Sequence, residues 1–236
     1  MSVLSSVGIV ILAMVIMASL QLLPGVFALF YHYTLGKYGE SKASSFSLFF
    51  IIGTEITSAF LFMSAFYIAY ILFLNDLSPR NNILTWILIG ILIALFAVSF
   101  FFYYRHPYSK DTQLFIPRDF AKKLDLRAKS VKSPSDAFVL GALSNVYELP
   151  FTLPLYLITA TEIMHMHTEY FADDLLTVIY ILASIIPLIC LYYSFRTGHN
   201  LADIQRSRIR DKTFHRILIS LSYFTIAVLI ICFRII

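Results

Sequence analysis

Six stretches of this chain are apolar and long enough to cross a bilayer, and little sequence remains for anything else. They cover roughly 8–33, 45–74, 83–104, 137–161, 174–195 and 214–236. A helical span takes about 20 mostly apolar residues. Of 236 residues, 59% are hydrophobic and only 14% charged, where soluble domains carry about a quarter charged. Mean hydropathy is +0.79. The apolar-polar alternation of a membrane barrel is absent. The expected fold is all-α, a polytopic membrane protein of six helices. The first stretch lacks the basic leader of a signal peptide, and its apolar run is too long for one. It reads as a retained helix.

The net charge of +4 is set by placement rather than by a nucleic-acid surface. The connections at 34–44, 105–136 and 196–216 hold 16 of the 18 Lys and Arg. The opposite side holds only Arg80 and Arg234. Basic loops stay in the cytoplasm, which puts both termini outside.

The longest polar connection, 105–136, divides three spans from three. The expected units are a first repeat over 1–104, a cytoplasmic linker over 105–136 and a second repeat over 137–236. Within the linker, PRDFAKKLDLRAK has Pro117 at a first-turn position, with Phe120, Leu124 and Ala128 at helical spacing. It reads either as a short helix on anionic lipid or as a solvated linker helix. Placing Pro24 on Pro150, an offset of 126, aligns ASLQLLPGVFALFYHY with LSNVYELPFTLPLYLI. The same offset carries the second span onto the fifth and the third onto the sixth. Three spans are an odd number, so the second half enters from the opposite side, as in an inverted-topology repeat. Any six-helix chain with a central loop divides in this way, which is the competing reading.

Two carboxylates fall inside spans. Glu55 lies in FFIIGTEITSAFLF and Glu148 in NVYELPFTLPLYLI. Counted from the span starts, both approach the midplane from the cytoplasmic side. An ionisable group there costs about 2.5–3.5 kcal/mol on insertion scales, and such groups commonly mark ion or proton paths. The alternative is a protonated, packed carboxyl satisfied by Thr54, Thr57, Ser58, Asn145, Tyr147 or Thr152. Pro24-Gly25, Pro150 and Pro154 interrupt the first and fourth spans. Proline frees a backbone carbonyl, and in lipid that carbonyl needs a partner. Broken helices in corresponding positions of two halves point to a transporter binding site. The expected site therefore comprises Glu55, Glu148, Pro24, Gly25, Pro150, Pro154, Thr54, Asn145 and Thr152, in an opened backbone segment lined by the first, second and fourth spans.

Other features read more plainly. TEIMHMHTEYFADD, an outer acidic segment, offers His165 and His167 as weak metal candidates. Cys190 and Cys232 have no metal or disulfide spacing and read as buried filler. Tyr31, Tyr33, Tyr103, Tyr104, Tyr192 and Tyr193 lie near span ends and read as interfacial anchors.

The three-plus-three layout, with LLPG (Leu22–Gly25) and ELPFTLP (Glu148–Pro154) in the first and fourth spans, resembles the lysine-exporter (LysE) superfamily. GKYGESKASSFSLFFIIGTE is similar to that family's link into the second helix. The superfamily includes amino-acid exporters, metal-resistance transporters and DsbD-type cytochrome c biogenesis domains. The redox branch carries cysteines beside the prolines, where this chain has Leu23 and Leu149. The exporter branch carries a PGP-like motif, of which Pro24-Gly25 is present. The resemblance implies a transporter; the expected setting is a bacterial-type plasma membrane, and no cofactor is expected. The expectation is a secondary transporter, an exporter of a small cationic or proton-coupled solute, with lipid and that solute as partners. The rivals are a redox carrier without its cysteines and a non-transporting assembly protein. No HExxH or nucleotide motif marks an enzyme.

Overall fold

The computed structural model describes residues 3–19, 22–75, 86–87, 89–97, 118–166, 170–197, 217 and 220–232. Every regular element among them is helical. They are α1 (Val3–Ser19), α2 (Leu22–Tyr38), α3 (Glu40–Asn75), α4 (89–97), α5 (Arg118–Ser130), α6 (Pro134–Met166), α7 (Tyr170–Arg196) and α8 (Ser220–Ile230).

Three stretches are long and apolar enough to cross a membrane: Ser6–Tyr38, Glu40–Ile71 and Asp174–Arg196. α6 is longer than the span expected over 137–161, and α8 is a shorter apolar helix. Half of the third expected span and part of the sixth lie outside the described residues. Large apolar side chains face outward along these helices, among them Ile56, Phe60, Met63, Tyr67, Leu182, Ile186 and Leu221. An apolar surface this extensive fits contact with lipid.

The sharpest connection is one residue long. Gly39 ends α2 with φ +80°, and its N–H donates to Leu35 O at 3.0 Å. Glycine takes this left-handed position without a Cβ penalty, so α3 starts at once and runs back along α2. α6 opens on a capping box. The Asp136 N–H donates to Ser133 Oγ, and Asp136 Oδ2 accepts from the Ser133 and Lys132 N–H groups. These bonds satisfy first-turn donors that a helix leaves unpaired, and Pro134 sits where its missing donor costs nothing.

α3 and α6 form the main packing pair. A Cβ on Gly53 would stand 2.2 Å from Phe138 O, and one on Gly141 would stand 2.2 Å from Phe50 O. Backbone therefore meets backbone at two points, as small residues allow in membrane helices.

The interior is divided along the helix axes. One apolar core joins α1, the C-terminal part of α3, α4, the C-terminal part of α6, the start of α7 and α8. The other joins α2, the start of α3, α5, the start of α6 and the end of α7. The second core carries the stacked Tyr31 and Phe195 rings, 4.7 Å apart.

Several expectations are corrected here. Tyr31 and Tyr192 are buried in the second core rather than standing as anchors, because helices converge at that end. Tyr193 is exposed and Tyr33 half-buried. Tyr103 and Tyr104 lie outside the described residues. Cys190 and Cys232 are exposed, because both project from outward helix faces. α5 packs on the protein: Leu124 and Ala128 are buried, Tyr33 Oη donates to Asp125 Oδ1 at 3.1 Å, and Tyr38 Oη donates to the Val131 carbonyl at 3.2 Å. Those bonds fix it against α2, while Lys123, Leu126 and Arg127 stay exposed.

Candidate functional site

Between the two apolar cores lies a polar layer. On α3, the second core ends at Ile51 and the first begins near Leu61. Thr54, Glu55, Thr57 and Ser58 fall between them. On α6 the intervening segment holds Ser144, Asn145 and Glu148, and on α7 it holds Ser184. The glycine contacts bring these segments together, since Gly53 and Gly141 flank the layer on one side.

Asn145 is its structural centre. It is fully enclosed, and its Nδ2 donates to the Thr54 carbonyl at 3.0 Å and to Ser58 Oγ at 2.6 Å. Thr54 is buried and donates its own hydroxyl to Phe50 O. Glu148 lies one turn beyond Asn145 and is only 3% exposed. Glu55 points toward α7, where Ser184 Oγ donates to its Oε2 at 3.3 Å. Its Oε1 is buried without a hydrogen-bond partner. Tyr156 is within electrostatic reach of both carboxyls. The Tyr223 hydroxyl of α8, within reach of Glu148, donates to Phe151 O at 3.3 Å. Thr152 is buried and its Oγ1 is unpartnered.

The structure places Thr54, Glu55, Asn145 and Glu148 in this layer and Thr152 one turn above Glu148. Pro24 and Gly25 are buried in α2, and Pro154 is buried in α6, while Pro150 is exposed. The expected opening of the backbone at Pro150 and Pro154 is not found, because α6 runs through both prolines as one helix. Each proline removes a single donor, and the bonds on either side carry the helix on. The layer is also lined differently from expectation, since α7 contributes Ser184. The side chains of His165 and His167 lie outside the described residues. Among the described residues no group of three or more metal-type ligands occurs.

One residue was misplaced by sequence reasoning. Glu162 was assigned to an outer acidic segment, yet it lies within α6 and is 1% exposed. The signal was its spacing of 14 residues from Glu148, two heptads, which returns to nearly the same helix face.

Comparison with protein-family models, curated proteins and solved structures returns no match. The reading of the site rests on its own chemistry.

Proposed function

We propose that the protein is a secondary transporter, an exporter of a small cationic or proton-coupled solute, with Glu55 and Glu148 as its central carboxylates. The carrying observation is the polar layer held between two apolar cores, with one Glu55 oxygen buried and unpartnered. A carboxylate kept there by Ser184 alone has capacity for a cation or a proton that a packing residue does not need.

The reading includes six spans in two inverted halves, termini outside, and kinship with the lysine-exporter superfamily. The contact pattern supports the halves. Under the 126-residue offset, α3 on α6 corresponds to α7 on α1 and α2, while α1 on α6 and α3 on α7 each correspond to themselves. All of these contacts are present, as a two-fold relation requires, although α3 on α6 is much the most extensive. The charge supports the orientation. Lys37, Lys42, Lys123, Arg127, Lys129, Lys132 and Arg196 all lie at one end of the bundle, where α2, α5 and α7 finish and α3 and α6 begin.

The test is binding before flux. The purified protein is melted against a panel of small organic cations and divalent metal ions at several pH values. A ligand at 100 times its Kd stabilises by about 2.7 kcal/mol. The shift should vanish in the Glu55→Gln/Glu148→Gln double variant, and flux of the same cation into vesicles should vanish with it. Undiminished binding and flux in that variant would sink the proposal.

A further inference from the structure

α6 carries more polar side chains on its buried face than a central site needs. Asn145, Glu148, Thr152, Tyr156, Thr159 and Glu162 fall within about 120° of arc at 3.6 residues per turn. All are buried. Asn145 to Glu162 spans about 26 Å at 1.5 Å per residue, close to the roughly 30 Å of a hydrocarbon core. Tyr180 of α7 joins the row, its ring 6.1 Å from that of Tyr156.

The hydroxyls of this row behave unlike many others among the described residues. Thr34, Ser47, Thr54, Thr57, Ser64, Ser144, Thr161 and Thr225 each donate to the carbonyl four residues back. That is the local solution for a hydroxyl on a membrane helix. Thr152 Oγ1, Tyr156 Oη, Thr159 Oγ1 and Tyr180 Oη are buried without any hydrogen-bond partner. Ser58 and Thr152 approach Tyr156 and Thr159 approaches Tyr180, yet none of these pairs closes into a bond. Four such hydroxyls in series, inside an apolar core, are what a chain of transient waters would bridge.

We propose that this row is a proton path along α6, joining Glu148 to Glu162 and to the aqueous side at the C-terminal end of that helix. This rests on the transporter reading for what the proton drives, and it names the coupling ion. A proton entering at the C-terminal end of α6 reaches the buried Glu162 carboxylate through intervening water and is passed on through water and the hydroxyls. Each oxygen accepts one proton as it releases another, and Glu148 carboxylate ends as the neutral acid. No electron moves. Glu55 from α3, Tyr180 from α7 and Tyr223 from α8 are the titratable groups facing the row. α1 and α4 contribute none.

The test needs no solute. The whole protein in vesicles or detergent is given a rapid pH drop, and carboxyl protonation is followed by time-resolved infrared absorption. The Glu148 band is assigned by its loss in Glu148→Gln. In Tyr156→Phe, which keeps the ring, and in Glu162→Gln, protonation of Glu148 should slow by about 100-fold, the low end for a positioned proton-transfer group. Its end-point should not change. An unchanged rate in both variants overturns the path, even if their melting temperatures fall. The transporter reading is judged separately, by cation binding in the double glutamine variant.

Discussion

Glu55 and Asn145 occupy the same layer and should respond to substitution in opposite ways. Asn145 has both of its amide bonds made across the α3–α6 contact. Interhelical bonds of this kind in membranes are worth about 0.6 kcal/mol on average and up to about 1.7. Asn145→Leu should lower stability by that amount, measured by denaturation in detergent. Glu55 leaves Oε1 unpartnered, a cost typical of functional groups. Glu55→Gln should therefore hold or raise stability, by about 0.5–2 kcal/mol, while flux is lost. A variant that loses stability and keeps flux would make Glu55 a packing residue. Glu148→Gln should abolish flux at normal abundance, since glutamine keeps size and hydrogen bonding but cannot ionise. Both glutamates were legible because an acid inside an apolar run has few explanations. Glu162 was not, because its neighbours His165, Glu169, Asp173 and Asp174 make the local sequence look like a solvated segment. Burial there is decided by helix length and by which helices pack on that face, neither of which local composition records.

At the level of elements, two contacts decide how the site is assembled. Gly141→Ala would put a Cβ 2.2 Å from a backbone carbonyl, and no rotamer can relieve that. Overpacking costs about 1–3 kcal/mol, and here the helices themselves must part, moving Asn145 away from Thr54. The expected result is a lower melting temperature together with weaker cation binding. An Ala variant with wild-type behaviour in both would show that the helices are not in backbone contact. The cap of α6 has its own signature. Asp136 is held below its ordinary value of 3.8 by the Ser133 side chain first, then by the Lys132 and Ser133 N–H groups. A depressed carboxyl contributes stability that is fully present above its unfolded value and lost as pH falls through the folded one. Cap strength should thus be flat from neutral pH to about 4 and decline below it, and Asp136→Ala should remove that acid limb. Lys129 is shifted upward by its bond to Asp125, so its own charge should persist across the neutral range. The box lies in Ser-Pro-Ser-Asp, a pattern the hydropathy reading passes over because the apolar span starts only at 137. The prolines were readable, but their effect was not, because whether a proline opens a helix depends on neighbours such as Tyr223 at the Phe151 carbonyl.

Among the described residues the helices carry large apolar side chains outside, two apolar cores inside, and buried polar groups in one layer and one row. Water would not sustain that arrangement, but a bilayer does. Length and hydropathy made the helical class legible without any contact information. The division into two cores depends on which faces meet, and that lies beyond a hydropathy profile. The proposed orientation rests on composition, since the described basic residues gather at the end holding α5. Ser130, in the last turn of α5, and Asp174, in the first turns of α7, are both exposed, and they lie at opposite ends of the bundle. In a background with Cys190 and Cys232 replaced by alanine, Asp174→Cys should react with a membrane-impermeant maleimide on intact cells. Ser130→Cys should react only after permeabilisation. The reverse pattern would invert the orientation. It would turn the Glu162 end toward the cytoplasm and make any proton entering along α6 one drawn from inside. Equal labelling of both sites on intact cells would mean that no membrane separates the two ends, and the transporter reading would fall with the topology.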